Sequence, residues 1–456
     1  MSTVTDLNGL QCMMLRWEEF HAMNAVHVVH LGRSYDPVHV QLIVTEKCLQ
    51  LGLTQIEFLS CRRKVHFVES QSDESAGMPF RYLTRSGRIE SVLQRLLNDE
   101  LNSPFSNGVH WPVRFTLLEH EQGQYLVLSY QHALSDSRGI TLILKEIVRA
   151  LNGAAPVVAK LDRSPPPIRK LVADQFNLSN LVERGLNTCS EVNASLSCYH
   201  HPSKFSGDLT VESGVHVVDL STEILKHTSR SLGVKVQDLL FASLLEALSL
   251  NFSSELAKSR RKNIGIYAPA DLRAESVVNT DATIGQILGC ITVREQVGPG
   301  MSFSELVRNV ASQTSSVKKR KAHRDHSFHM NVMSRIWDLF PDRLNRVAGP
   351  YLIPLSGYIS NVNLTDFLAE ELVNGTIRNY FRYSGTGLLS PMMLGITTLG
   401  PVFNLTTTHH RDVFTHEDIT RIVSHVQMRL AGHVELSGCR KEVPARSSAR
   451  KPVGVI

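Results

Sequence analysis

The chain has 456 residues, 42% of them hydrophobic, and its 48 Lys and Arg exceed its 43 Asp and Glu by five. That length and apolar content exclude a minimal single core or a disordered chain and make two lobes the expectation. A charge excess this small, spread over so many residues, gives no nucleic-acid footprint.

Seven cysteines, Cys12, Cys48, Cys61, Cys189, Cys198, Cys290 and Cys439, show no metal-ligand spacing, and their odd number argues against a full disulfide framework, so reduced thiols are expected. The first twenty residues lack a basic start followed by an apolar core, so no secretory signal and a cytoplasmic location are expected. On that reading the Asn-x-Ser/Thr triplets at Asn177, Asn363 and Asn404 carry no glycosylation. The most apolar helical run, Leu239 to Leu250, contains Glu246 and is too short to span a bilayer, which makes it a core helix.

In chain order, residues 1–165 mix β-rich and helical runs and form an expected N-terminal lobe. His27 to Leu31 reads as a strand, Val38 to Leu51 as a helix, Val65 to Val68 as a strand and Ile89 to Leu101 as an amphipathic helix. Val113 to Leu118 and Tyr125 to Tyr130 form a hairpin across Glu121-Gln122-Gly123-Gln124. Ile140 to Leu151 is apolar at helical spacing. The pattern weakens between Asn152 and Ser213, with Pro165-Pro166-Pro167 and a polar stretch, and residues 166–213 are assigned as a crossover. A second β/α series fills residues 214–437: strand His216 to Leu220, helix Ile224 to Ser231, helix Val236 to Leu250, strand Asn263 to Ala268, helix Phe303 to Val317, strands Leu394 to Thr398 and Val402 to Thr407, and a last helix Thr415 to Leu430 capped by Thr415 or Asp418. Residues 438–456 are a basic tail, expected to be mobile. The lobes echo each other in element order and not in a sequence period.

The hairpin delivers the chain to Ser129-Tyr130-Gln131-His132-Ala133-Leu134-Ser135-Asp136-Ser137-Arg138-Gly139, which places a histidine and an aspartate four apart in a strand-to-helix loop. A neutral imidazole at the end of a strand can accept a proton from a hydroxyl or amine. Spacing alone also admits the commoner arrangement, a polar turn in which Asp136 caps the next helix and His132 is merely satisfied.

With its surroundings, the motif resembles the HxxxD acyltransferase superfamily, which includes chloramphenicol acetyltransferase, acyl-CoA-dependent alcohol acyltransferases and the condensation domains of nonribosomal peptide synthetases. The matching blocks come in order: Asn102-Ser103-Pro104-Phe105, Trp111-Pro112-Val113-Arg114-Phe115, His132 to Gly139, Val236 to Leu245, Pro269-Ala270-Asp271-Leu272-Arg273, Ser360-Asn361-Val362, and Phe414 to Leu430. The resemblance implies an α+β fold of two chloramphenicol-acetyltransferase-like sandwich lobes with a tunnel between them and His132 near its middle. It implies that His132 is the general base, a role that typically contributes about 10²–10⁴-fold. Asp136 is then structural, paired with an arginine, for which Arg273 is the first candidate and Arg294 the second.

The chain departs from the fuller HHxxxDG form at two positions. Gln131 stands where a first histidine is common and keeps hydrogen-bonding capacity without titrating. Ser137 stands where glycine is common, and Gly139 is the candidate for the missing backbone freedom. By the same resemblance, Ser360 and Asn361 are oxyanion or tunnel candidates, with a strand-end turn as the alternative, and Tyr383-Ser384-Gly385-Thr386-Gly387 is a loop near the tunnel floor. Lys318, Lys319 and Arg320, in the densest basic run with Lys321, are donor-binding candidates for coenzyme A phosphates or an acidic carrier, and a solvated helix end is the alternative. His409-His410 is expected in a polar turn before the last helix, and His200-His201 has no partner at ligand spacing. No GxSxG, HExxH or GxGxxG stands in its required context.

The expected function is acyl transfer from a thioester, on coenzyme A or a separate acyl or peptidyl carrier protein, to a hydroxyl or amine of a small-molecule acceptor in secondary metabolism. The alternatives are a catalytically silent scaffold that docks a carrier or partner enzyme, motivated by Gln131 and Ser137, and a different reaction on the same fold, such as cyclisation. No cofactor or metal, no nucleic acid, no membrane span and a monomer are expected.

Overall fold

In the computed structural model, which describes residues 3–59, 63–68, 77–165, 178–199, 210–216, 220–298, 300–352, 354–386 and 390–432, the described strands form three sheets. The strands are β1 (Thr3–Asp6), β2 (Asn24–Leu31), β3 (Ile56–Leu59), β4 (Lys64–Phe67), β5 (Phe80–Thr84), β6 (Val113–His120), β7 (Gly123–Gln131), β8 (Val211–His216), β9 (Ile264–Asp271), β10 (Leu288–Glu295), β11 (Gly357–Asn363), β12 (Ile377–Ser384), β13 (Met392–Leu399) and β14 (Val402–His410). One sheet runs β12-β2-β7-β6-β5, a second runs β10-β9-β11-β13-β14-β8, and β1-β4-β3 forms a small third.

The expected hairpin is β6 and β7, joined by Glu121-Gln122, with His120 opposite Gly123. Gly123 has φ +121°, a conformation that glycine adopts without the steric cost of a Cβ. Helices Pro37–Gln50 and Ser137–Leu151 cover one face of this sheet and bury Val40, Val44, Ile143 and Ile147. Asp36 caps the first of these helices by accepting from His39 N–H at 2.9 Å, with proline at its opening position. In the second lobe, helix Val236–Asn251 is buried nearly all round, packed by Leu239, Phe241 and Leu244 among β9, β11, β13 and the last helix, His416–Leu430. Thr415 is the cap of that last helix, and Asp418 completes a capping box with it.

Several elements depart from the sequence expectation. The strand expected at 216–220 is displaced: β8 ends at His216, and residues 217–219 lie outside the described residues. The interval taken as a crossover carries a helix, Leu178–Leu196, while Pro166, Pro167, His200 and His201 lie outside the described residues, as do Asn177 and the tail from 438. His409 and His410 are the buried end of β14 and not part of a polar turn. β12, from the second half of the chain, adds to the first lobe's sheet beside β2, which ties the two halves together.

The edge of the six-stranded sheet is closed by side chains. β8 turns one row of backbone groups toward helix Ile89–Asn102, whose Asn98 and Asn102 meet them at four-residue spacing. Asn102 accepts from Val211 N–H and donates to Val211 C=O, both at 2.8 Å, and Asn98 accepts from Ser213 N–H at 2.7 Å. One helical step of four residues is about 6 Å and two strand residues about 6.6 Å, so the two registers match. An edge that would otherwise be an unpaired template is thereby satisfied.

His409 is 3% exposed, and its pKa is lowered from 6.5 to about 4, chiefly by burial and then by the nearby His416 and His216, despite Glu212 at 3.8 Å. The unfolded chain therefore takes up this proton at a higher pH than the folded one. Its stabilising contribution is complete above about pH 6.5, is lost as pH falls toward 4 and levels off below that, a change of roughly 3 kcal/mol. Urea midpoints measured between pH 7 and 4.5 should fall steeply for the wild type and less steeply for His409→Gln; equal slopes would remove His409 as the cause.

Candidate active site

The strand-to-helix loop after β7 is fixed at both ends. Gln131 N–H bonds Pro112 C=O and His132 N–H bonds Met23 C=O, each at 3.0 Å, so the loop begins locked between neighbouring segments. Asp136 accepts from Gly139 N–H at 3.2 Å and caps helix Ser137–Leu151. Gly139 does not supply the backbone freedom expected of it, since it lies in this helix without a positive φ, and a Cβ there would stand 2.3 Å from Ser135 Oγ and require that hydroxyl to shift.

Asp136 also makes the expected ion pair. Arg273 donates from Nη1 to Oδ2 at 2.8 Å and from Nη2 to Oδ1 at 3.0 Å, a bidentate pair with both side chains buried. Ile287 N–H adds a bond to Oδ2 at 3.1 Å. Burial alone would lower the Arg273 pKa, but Asp136 and then Asp271 outweigh it and hold it above its ordinary value. Capping and ion pairing, which sequence offers as competing roles for Asp136, are both present. Arg294, the second candidate, is engaged elsewhere with Glu191 at 2.9 Å.

His132 lines a cavity of about 280 Å³ between the lobes. Its Nδ1 stands 3.3 Å from Ser135 C=O, which can only accept, and 3.4 Å from the Gln286 amide nitrogen, whose short bond goes to the His132 carbonyl; the Ser135 carbonyl assigns the proton to Nδ1. Gln286 donates its amide to His132 C=O at 2.6 Å and holds the residue from the second lobe's side. Nε2 has no hydrogen-bond partner among the described residues. Burial holds the His132 pKa below the usual imidazole value, against smaller raising effects from the Ser135 carbonyl and Asp136. The result is a neutral imidazole whose unprotonated nitrogen is unspent, the state a general base requires.

Gln131 is 4% exposed and holds the loop without entering the cavity. Its amide nitrogen donates to Glu18 at 2.6 Å and its oxygen stands 3.1 Å from His110 Nε2. Ser137 Oγ accepts from Arg382 at 3.0 Å and stands 3.2 Å from His27 Nε2. Ser360 does not face the cavity, since its hydroxyl and carbonyl both receive bonds from Arg382, at 3.2 and 3.1 Å. Asn361 is exposed and donates to Gln237 at 3.1 Å. Ser384 and Gly385 line the cavity, while Gly387 lies outside the described residues. Of the basic run, Arg320 lines the cavity, whereas Lys318 and Lys319 are exposed at the end of helix Phe303–Lys319. Glu18, His110, Gln286 and Arg382 were not evident in the sequence. Only Arg382 leaves a signal there, as a charge inside the β-forming run Tyr380-Phe381-Arg382-Tyr383.

Among the described residues no group of three His, Cys, Asp or Glu side chains could hold a metal ion, and no helix is long and apolar enough to cross a membrane.

Compared with solved structures, the chain is similar to the first condensation domain of the calcium-dependent antibiotic synthetase in complex with a substrate analogue, with TM-score 0.66, 16% identity, and 94% of this chain and 96% of that one covered. It is also similar to the starter condensation domain of rhizomide synthetase in complex with C8-CoA (TM-score 0.63, 13% identity, 95% and 96% covered) and to the epimerization domain from the third module of tyrocidine synthetase B (TM-score 0.60, 14% identity, 95% and 97% covered). No family model matches the chain, and no curated protein sequence matches it. The chain therefore has the condensation-domain fold, two chloramphenicol-acetyltransferase-like lobes.

Removing one partner of a buried ion pair leaves the other charge uncompensated, a loss of about 3–5 kcal/mol. Asp136→Ala should destabilise the protein by that order in urea unfolding. Asp136→Asn keeps a capping acceptor and isolates the charge, so its loss should be smaller. Equal losses would assign all of the effect to the ion pair and none to the cap.

Proposed function

We propose that this protein is an acyltransferase, moving an acyl group from a thioester on coenzyme A or a phosphopantetheinyl carrier to a hydroxyl or amine acceptor, with His132 as the general base. The observation that carries the reading is the state of His132: Nδ1 committed to the Ser135 carbonyl, the ring neutral, and Nε2 unpartnered on a residue that lines the interlobe cavity. Nε2 takes the proton of the acceptor as its oxygen or nitrogen attacks the thioester carbonyl. It returns that proton to the departing thiolate, so the base is regenerated and no further reagent is consumed. The fold shared with condensation domains supports the same chemistry, and nothing in these steps calls for a metal or redox cofactor.

The fold shared with an epimerization domain favours a second reading, in which His132 removes a proton from carbon. Solvent deuterium appearing in recovered substrate without acyl transfer would identify that case.

With a panel of acyl thioesters and simple alcohols or amines, His132→Ala should lower turnover by about 10²–10⁴-fold while leaving the circular dichroism spectrum unchanged. Turnover equal to wild type would refute the base assignment.

The pH dependence is a separate check. Because burial lowers the His132 pKa, the active neutral form persists below pH 6.5, and the acid limb of kcat/KM should lie under that value. An acid limb above 6.5 would contradict the neutral, buried imidazole.

A further inference from the structure

The cavity that holds His132 carries its own description of the acceptor, an inference that rests on the acyl-transfer reading above. β10 forms one wall: Leu288, Gly289, Cys290, Thr292 and Arg294 line the cavity, while Ile291 and Val293 pack into the second lobe's core. Around the Leu288 end, Met14, Trp17, Met23, Met330 and Met333 supply an apolar, adaptable surface. His132 belongs to this end, since its backbone is held by Met23 and by Gln286, two residues before Leu288.

Unspent polar groups in the wall include Tyr267 and His326, with His329 Nε2 buried and without a hydrogen-bond partner among the described residues. Tyr267 stands opposite Thr292 on β9, with its ring stacked on Tyr358 at 5.0 Å. The Tyr358 hydroxyl is committed to Gly385 C=O at 3.1 Å, whereas the Tyr267 hydroxyl has no partner among the described residues. Burial raises the Tyr267 pKa well above 10, so this group is a neutral donor under all working conditions. His326, which opens helix His326–Trp337, likewise has no hydrogen-bond partner among the described residues. Burial, and then His329, lowers its pKa to about 4, which leaves it neutral.

The charged groups of the wall other than Arg320 are already matched. Glu191 pairs with Arg294 at 2.9 Å and Asp325 with Arg184 at 3.4 Å. Arg320 is exposed to solvent and has no ion pair among the described residues. Away from Arg320 the wall offers hydrogen bonds without an available counter-ion, and an ammonium or carboxylate brought there would be desolvated without compensation.

We propose that the acceptor is an uncharged molecule with an apolar body and a second oxygen besides its nucleophile, that oxygen being bonded by the Tyr267 hydroxyl and His326. A site built to bond a substrate oxygen rejects the analogue that lacks it, because its own buried polar group is then left unpaired.

The test uses the full chain with octanoyl-N-acetylcysteamine as donor and 1-octanol, 1,2-octanediol, 1,8-octanediol and 2-aminooctanoic acid as acceptors. At least one diol should exceed 1-octanol in kcat/KM by about 10-fold, through KM, and the zwitterion should be the poorest. Tyr267→Phe, which keeps the stacked ring, should reduce the diol advantage over 1-octanol to about 2-fold or less. No diol preference in the wild type, preferred use of the zwitterion, or an equal loss with every acceptor in Tyr267→Phe would each overturn the proposal. The last outcome would move Tyr267 to the thioester carbonyl. Calorimetric binding of the same diols and 1-octanol to His132→Ala separates this inference from the acyl-transfer reading. Diol-selective binding without turnover in the wild type would sink the reaction and keep the binding site, and turnover with no selectivity in binding would do the reverse.

Discussion

The Asp136–Arg273 pair is the constraint on which the site depends. Asp136 belongs to the loop after β7 in the first lobe, and Arg273 follows β9 in the second. A guanidinium and a carboxylate taken out of water together hold their geometry only if the remaining lone pairs and protons are satisfied. Here Gly139 N–H, Ile287 N–H, the Thr283 carbonyl and Asp271 meet most of them, and Arg273 Nε alone of the pair's donors is buried without a partner among the described residues. One carboxylate therefore ends the loop, starts helix Ser137–Leu151 and fixes the distance between lobes. His132, four residues earlier, gains its position from this arrangement. The second lobe's Gln286, one residue from Ile287, bonds the His132 carbonyl, so both lobes define where the imidazole stands.

The interlobe contacts are of different physical kinds, and this divides what the sequence can reveal. The hairpin, the capped helices and helix Val236–Asn251 follow from local periodicity and turn chemistry, and their expected positions agree with the structure to within a few residues. The Asp136–Arg273 pair was reached through resemblance, because no spacing rule connects residues 137 apart. β12 leaves no local sign that it completes the first lobe's sheet, since pairing with β2 is a long-range choice. Helix Leu178–Leu196 was hidden by a polar composition read as crossover. Its Glu191 and Ser195 line the cavity, so polar residues that dilute a helical pattern are the ones it presents to the site. Ser360 is an oxyanion candidate only through the resemblance, and it lies inside β11. Which face a strand residue takes depends on register, and register turned its hydroxyl toward Arg382.

The two departures from HHxxxDG are integrated rather than left as gaps. Gln131 spans Glu18 on helix Gly9–Glu18 and His110 before β6. The same helix presents Leu10, Met14 and Trp17 to the cavity, so Gln131 ties the apolar wall to the motif loop. An amide is suited to this place because it donates to a carboxylate without changing charge.

Ser137 has a more demanding role. Arg382 is 4% exposed and makes five hydrogen bonds, to Thr397, Ser137, Ser360 twice and Ile396, all to neutral oxygens. Burial lowers its pKa to about 10, yet it stays a cation at neutral pH. A buried guanidinium without a carboxylate requires that every donor be met. The Ser137 hydroxyl meets one, and the hydrogen-bond directions beyond it then follow. Thr141 can donate to Ser137 C=O at 2.8 Å, so it accepts from Tyr380 at 3.2 Å. Tyr380 in turn accepts from His27 Nδ1 at 2.8 Å, which leaves His27 Nε2 to accept from Ser137. His27 is thereby fixed as a neutral tautomer, and burial followed by Arg382 holds its pKa well below the usual imidazole value. A glycine at 137 would open this circuit at the guanidinium. The serine that looks like a loss in the motif is the residue that lets a charge be buried beneath it.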